Sequence, residues 1–228
     1  MPHNEHLFFK LDSIPVVGTK RKAFFTRLVD SETLFDLLSH LPSNVLQRTA
    51  IAQLSSAYNN QLVTCCFCVD AHFPSTRRGM PYRIIGDLLE SGGSLELVFF
   101  NPYASFLERV ARQGSKIVVS GKLTTAKLHG IDRYQIVHPD HMGALDTFNA
   151  WIGVERVYPL TAGLTQGIVR SAIDFVLAKL TDVDEWIAPE TVQRFHFPSW
   201  KTAFLDVHAP QSVLDLSPMT HARRRLAY

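Results

Sequence analysis

The order of strands and helices in the middle of the chain constrains the fold more than any other sequence feature. Runs rich in valine, cysteine and aromatic residues predict three strands, followed by one helical pattern and two further strands. The predicted strands cover residues 62–71, 82–89, 95–100, 116–125 and 131–137, and the helix covers residues 103–113. Three strands, a helix and two strands in about 80 residues is the order of an OB-fold barrel.

Helical patterns flank the predicted barrel on both sides. Before it, apolar residues recur at helical spacing in residues 21–29 and 34–41, and Pro42 ends the second pattern. After it, Thr165 can cap a helix that reaches Leu180 with one broad apolar face. We therefore predict a mixed α and β fold in three parts: an N-terminal helix pair (1–48), a five-stranded OB-fold barrel (49–143) and a C-terminal helical region (144–228).

The composition of the 228 residues is that of an ordinary folded protein. Hydrophobic residues make up 46% of the chain and charged residues 19%, which excludes a mainly disordered chain. The apolar runs are only of strand length, so we predict no membrane-spanning helix. The N-terminus lacks the basic start and apolar core of a secretory signal, and we expect a cytoplasmic protein with no membrane partner.

Signals for catalysis or for a bound metal are weak. Residues 121–123 lack the upstream glycine and the following serine or threonine of a phosphate-binding P-loop. The three cysteines in residues 65–68 have no second pair near them, and the two histidines in residues 138–141 lack a nearby third ligand. We predict no catalytic residue, no metal site and no cofactor in this chain.

An aromatic segment at the end of the third barrel strand, residues 98–103, is the most informative candidate site. Neighbouring residues on a strand point to opposite faces, so Phe99 and Phe100 cannot both enter the barrel. An outward ring with Tyr103 three residues further on is what base stacking requires. The alternative is that the outer ring packs beneath the flanking helices.

Basic residues near this segment could contact phosphates. The net charge is only +2, so any nucleic-acid binding must come from local placement. Arg77 and Arg78 lie in the loop between the first two barrel strands, which OB-folds use to grip oligonucleotides, although adjacent arginines in a loop are often only solvated. Further basic residues of the last two strands could extend a track whose faces depend on the strand register: Lys116, Lys122, Lys127 and Arg133.

Short motifs follow one another in an order that covers nearly the whole chain. They are VG at residues 17–18, DLLSHLP at 36–42, RT at 48–49, FFNPY at 99–103, GK at 121–122, HP at 138–139, VYP at 157–159, VHAP at 207–210 and ARRRLAY at 222–228. In this order the chain resembles the N-terminal region of the RecG family of bacterial ATP-dependent DNA helicases.

The resemblance implies a wedge domain that sits at a branched DNA junction and splits the duplex arms while a separate C-terminal motor pulls the DNA. In that family aromatic rings stack on bases at the fork, and the matching positions are Phe100 and Tyr103, with Phe99 beside them. The motor follows the segment that resembles residues 224–228, so we expect this chain to lack it. ATP and Mg²⁺ are accordingly expected only for the absent motor.

We thus expect a monomeric, branched-DNA-binding wedge region whose partners are the DNA junction and the missing helicase motor, acting in DNA repair and recombination at replication forks. Seven residues are the candidate DNA contacts: Phe99, Phe100, Tyr103, Arg77, Arg78, Lys122 and Lys127. Two other hypotheses stay open on the residues alone. One is a general single-stranded-DNA-binding OB protein without a motor, and the other is a protein-interaction module whose aromatic residues contact another chain.

Overall fold

The computed structural model describes residues 9–77, 79–128 and 130–228 of the chain. They form two compact units, one made of residues up to Leu46 together with Arg156–Tyr228, and the other made of Gln47–Glu155. The boundaries at 48/49 and 143/144 that we drew from the sequence order remain predictions.

Five strands close into a barrel in the Gln47–Glu155 unit. They are β2 (Leu62–Phe73), β3 (Tyr82–Leu88), β4 (Ser94–Phe99), β5 (Lys116–Leu128) and β6 (Ile131–Val137), and helix α3 (Ala104–Val110) lies between β4 and β5 in the chain. β2 pairs antiparallel with both β3 and β5, and β4 runs parallel to β6. This is the OB-fold arrangement, and it confirms the predicted mixed α and β fold with a five-stranded barrel flanked by helices.

The strand alternation divides barrel side chains into an inner and an outer set. The inner set forms a buried core that includes Val63, Cys65, Phe67, Tyr82, Ile84, Leu95, Leu97, Phe99, Ile117, Val119, Leu123 and Ile136. Burial raises the pKa of the Cys65 thiol to about 12, so this cysteine remains protonated and acts as a small apolar core residue.

Three further strands extend the sheet beyond the barrel, and the sequence patterns did not predict them. They are β1 (Asn44–Ala50), β7 (His141–Gly143) and β8 (Gly153–Val157). β1 pairs parallel with the start of β2, with Thr49 opposite Val63, and β7 pairs antiparallel with β5. Each is short or polar, so its strand conformation depends on pairing with a distant segment rather than on its own residues.

The guanidinium group of Arg48 on β1 lies at the centre of a buried polar network on the outer wall of the barrel. Its side chain is only 5% exposed, and its Nε is 2.6 Å from a carboxylate oxygen of Glu155 on β8. Its Nη1 donates to Asp140 at 2.9 Å and to the Ser120 hydroxyl at 3.1 Å. The hydroxyl of Thr64 donates in turn to Ser120, so four separate segments are joined through one arginine.

The other unit is helical. It contains α1 (Gly18–Val29), α2 (Leu34–Leu38), α4 (Gln166–Leu177), α5 (Pro189–Phe195), α6 (Trp200–His208) and α7 (His221–Ala227). The side chain of Thr165 caps α4 by accepting the Ile168 N–H, as predicted, and the apolar face of α4 packs in a core with Phe25, Leu37 and Phe204. In the described ranges, no helix combines the length and apolar character needed to span a bilayer.

A neutral histidine is buried in this helical unit. The Nε2 of His208 donates to the Leu38 carbonyl at 2.8 Å, and its Nδ1 is 2.8 Å from the Tyr158 hydroxyl, which therefore donates to it. Both ring nitrogens are satisfied in the uncharged form. Burial lowers the pKa of His208 from its ordinary 6.5 to about 4, with Arg156 and His40 acting in the same direction and the Leu38 carbonyl and Asp174 opposing them.

We expect Arg48→Met to lower the free energy of unfolding by about 3 kcal/mol, because the change removes the ion pair of Arg48 with the largely buried Glu155 carboxylate. The matched control is Arg83→Met, since Arg83 forms a more exposed pair with Glu96 and should contribute less than about 1 kcal/mol. Urea unfolding at neutral pH measures both values. Equal losses for the two variants would contradict the central role of Arg48.

We also expect the helical unit to lose stability in mild acid. Below pH 6.5 the unfolded chain binds a proton at His208, whereas the folded chain does so only near pH 4, so the free energy of unfolding falls as the pH falls through this window. The expected loss between pH 7.5 and pH 5 is about 2 kcal/mol. Urea unfolding followed at 222 nm measures it, and His208→Gln should show a smaller loss over the same range.

Candidate nucleic-acid interface

The end of β4 places two adjacent phenylalanines on opposite sides of the barrel wall. Phe99 points inward and is buried with Leu95 and Leu97, whereas Phe100 points outward and is 49% exposed. This separation is the one that strand alternation predicted, and the register decides which ring is outside. Phe99 is only 7% exposed and belongs to the barrel core, so its predicted DNA contact stays a prediction, while Phe100 is the ring at the surface.

A tight turn brings a second ring to the surface directly after Phe100. Asn101 adopts a left-handed conformation with φ of 51°, which asparagine tolerates better than most residues, and Pro102 cannot continue the strand ladder. Tyr103 then precedes the first residue of α3 and is 86% exposed. The turn therefore presents Phe100 and Tyr103, two of the predicted stacking residues, outside the barrel.

His138, directly after β6, supports the Phe100 side of this turn. Its Nε2 accepts a hydrogen bond from the backbone N–H of Phe100 at 3.2 Å, so Nε2 carries no proton in this arrangement. The imidazole lies 5.9 Å from the Phe100 ring and 6.1 Å from the Phe99 ring, measured between centroids. His138 thus holds the backbone of the outward phenylalanine and contacts the rings on both sides of the wall.

Gly121 on β5 makes room for the turn that contains His138. A Cβ atom at position 121 would lie 2.6 Å from Cγ2 of Ile136 and 3.2 Å from Cα of Pro139. Any larger residue would clash with the Ile136 side chain and press against the backbone of the turn at Pro139. His138 itself has a φ of 48°, so its backbone is also held in a conformation that surrounding contacts must stabilise.

The loop between β2 and β3 opens at the same end of the barrel as Phe100. Tyr82, the first residue of β3, is opposite Phe99, and the loop described by residues 74–77 and 79–81 leads directly into it. Arg77 lies exposed in this loop. Arg78, the second predicted loop arginine, lies outside the described residues.

The two predicted lysines of β5 are far apart. Leu123 is opposite Ile136, which places Lys122 next to the end of β6 and close to the His138 turn. Lys127 is opposite Asp132, five residues further along the strand, or about 17 Å at about 3.4 Å per residue. Both lysines are exposed, but they do not belong to one local track.

Sequence reasoning missed His138 as part of this site, because it considered that histidine only as a metal ligand or as part of a motif. The pairing of β4 with β6 is the signal that could have found it. Val98 is opposite Val137 in that ladder, so His138, the next residue, lies close to Phe99 and Phe100. In the described ranges, no cluster of three histidine, cysteine or acidic side chains is arranged to hold a metal ion. The structure therefore brings together Phe100, Tyr103 and His138, with Arg77 and Lys122 in the neighbouring segments.

Comparisons with known proteins agree with this architecture. The family model of the RecG wedge domain matches residues 11–180. A solved structure of RecG bound to a three-way DNA junction is 20% identical, with a TM-score of 0.71 over 96% of this chain, and this chain spans only 29% of that protein. Comparison with curated protein sequences finds no match.

Isolated OB-folds are less similar. The second OB-fold domain of replication protein A from Methanococcus maripaludis is 19% identical and covers 44% of this chain and 96% of its own, with a TM-score of 0.29. The mitochondrial single-stranded-DNA-binding protein Rim1 of S. cerevisiae is 16% identical, with a TM-score of 0.28, and covers 38% of this chain and 94% of its own. The RecG wedge-domain model, in contrast, includes both the barrel and part of the helical unit, and the chain belongs to the RecG wedge-domain family.

Proposed function

We propose that this chain is the branched-DNA-binding wedge region of a RecG-like, ATP-dependent DNA helicase. The observation that carries the proposal is the pair of exposed rings, Phe100 and Tyr103, at one end of a wedge-family barrel. The solved RecG of similar fold was bound to a three-way DNA junction, and this favours a junction over a linear duplex as the ligand.

The chemistry of the turn suits a fork. Bases inside a duplex are already stacked on one another, so an exposed ring gains most from a base whose neighbour has been separated from it. Each base stacked on an aromatic side chain is stabilised by about 1–3 kcal/mol. Phe100 and Tyr103 would therefore stabilise the first unpaired bases at the branch point and oppose their return to the duplex.

Cationic side chains would position the DNA around the rings. Arg77 lies in the loop at the same end of the barrel, and the register places Lys122 near the His138 turn. Phosphate contacts of this kind add affinity without sequence preference and weaken as the salt concentration rises. This fits a ligand that is recognised by its branched shape.

In this proposal the wedge is passive, and the energy for strand separation comes from a motor elsewhere in the complete helicase. ATP and Mg²⁺ would act on that motor and not on the residues described above. The biological setting would be the repair and recombination of replication forks in the cytoplasm, with the wedge acting as a monomer on one junction.

Phe100→Ala should weaken binding to a three-way junction by roughly tenfold and remove the preference for the junction over a linear duplex. Tyr103→Ala should have an effect of similar size. Fluorescence anisotropy with a labelled junction, duplex and single strand at two salt concentrations measures these affinities. Tyr103 is 86% and Phe100 49% exposed, so circular dichroism spectra should stay unchanged and any fall in melting temperature should be small.

The same experiment separates the proposal from its alternatives. Tighter binding to the plain single strand than to the junction would favour a general single-stranded-DNA-binding protein. Failure to bind any DNA, at low as well as high salt, would favour a protein-interaction module. Equal binding to all three DNAs that Phe100→Ala leaves unchanged would sink the stacking mechanism.

A second pair of variants tests whether the hydrogen bond at His138 orients Phe100. His138→Gln keeps an acceptor that can reach the Phe100 N–H, whereas His138→Phe keeps a ring but removes the acceptor. Both replacements occupy the same left-handed backbone position, where the bulkier phenylalanine is more strained, so the melting temperatures of the two variants are compared as a control. We expect His138→Phe to reduce junction preference severalfold and His138→Gln to retain most of it; the reverse order would exclude the orienting role.

A further inference from the structure

A second exposed aromatic and basic surface continues from the Phe100–Tyr103 turn along helix α3. Phe106 is 49% exposed, and it follows Tyr103 by three residues. The guanidinium carbon of Arg109, three residues further on, lies 5.7 Å from the centre of the Phe106 ring. Arg109 is itself exposed, so the two side chains form an open cation–π pair at the surface.

Helix geometry places these residues in one stripe. Side chains three apart are neighbours on a helix surface, with about 5–6 Å between their Cβ atoms. The backbone N–H of Phe106 donates to the Tyr103 carbonyl at 3.0 Å, which fixes this spacing at the start of α3. Leu107 is buried in the barrel core, so the stripe runs along a flank of the helix rather than beneath it.

The acidic residue of α3 lies on the other flank. Glu108 is two positions from Phe106, which is about 200° around the helix axis. Burial, and to a smaller extent the Glu108 carboxylate, raises the pKa of Tyr82, which agrees with a carboxylate on the side of the helix near β3. The flank with Phe106 and Arg109 therefore presents two rings and a positive charge without this carboxylate.

We propose that the α3 stripe, formed by Tyr103, Phe106 and Arg109, is a binding track for single-stranded DNA leaving the branch point. The proposal rests on the function proposed above and extends it from the fork itself to one unpaired arm. Exposed rings suit unstacked bases, and a guanidinium group suits the phosphate that follows them. The track starts at Tyr103, which already belongs to the proposed junction site. A single DNA strand can therefore pass from the junction site onto the α3 stripe.

The test compares two junctions that differ in one arm, which is fully paired in the first and single-stranded in the second. Phe106→Ala should weaken binding of the second junction roughly tenfold and change the first by less than about twofold. Arg109→Gln should lower the slope of log K against log salt by roughly 0.7 for the single-stranded arm. A 2-aminopurine at one of the first four unpaired positions should be quenched by the unsubstituted protein and less by Phe106→Ala.

Trp186→Ala provides the matched control, because Trp186 is also an exposed aromatic residue in a cation–π pair. The guanidinium carbon of Arg225 lies 4.3 Å from the centre of the Trp186 ring. Trp186 lies in the other compact unit, and its replacement should leave both affinities unchanged. A loss of affinity with Trp186→Ala equal to that with Phe106→Ala would overturn the track. The track alone would also be overturned if Phe106→Ala and Arg109→Gln leave both affinities unchanged while Phe100→Ala abolishes junction preference. If Phe100→Ala also has no effect, the proposed junction site fails as well.

Discussion

The pairing of β2 with β5 closes the barrel, and the position of the surface rings depends on this closure. The ladder runs from Leu62 opposite Lys122 to Cys68 opposite Lys116, and it gives each barrel strand an inside and an outside. On β4 the inside is filled by Leu95, Leu97 and Phe99. Burying Phe100 instead would require a one-residue slip that exposes all three, so its exposure follows from the register of the whole barrel.

The turn that carries the rings is held from two directions. Asn101 and Pro102 end β4 within two residues, and the N–H of Phe100 bonds to His138. The carboxylate of Asp140, two residues after His138, accepts a hydrogen bond from Arg48, which is anchored in the outer wall. A site held in this way loses little conformational freedom when a base stacks on it, and this favours binding without any rearrangement of the barrel.

The sequence patterns predicted the parts of the fold that depend on local alternation. Five barrel strands, helix α3 and the Thr165 cap could be predicted because each is encoded within about a dozen neighbouring residues. Strands β1 and β8 could not, since the ion pair that fixes them joins Arg48 to Glu155 across 107 positions. The predicted site had the same limit: alternation showed that one phenylalanine must be outside, but only the register assigned Phe99 to the core and placed Lys122, and not Lys127, near the aromatic turn.

The motifs GK (121–122) and HP (138–139) are in contact in the structure, which their order in the sequence did not reveal. Gly121 leaves room for the Ile136 side chain and for the close approach of Pro139, the residue after His138, whose ring lies beside Phe100. Two short motifs and the aromatic segment therefore act as one structural unit. A change at position 121 would alter the aromatic turn although that residue carries no functional group of its own.

The magnitudes limit what such a platform can do at a fork. Stacking on one ring provides about 1–3 kcal/mol per base, and the stacking of one base-pair step in DNA is worth about 1.4 kcal/mol. The two energies are comparable, so two or three rings could hold open about as many steps and no more. Under the proposed function, the aromatic turn would prevent the first pairs from re-forming, and a motor would have to supply the energy for each further step.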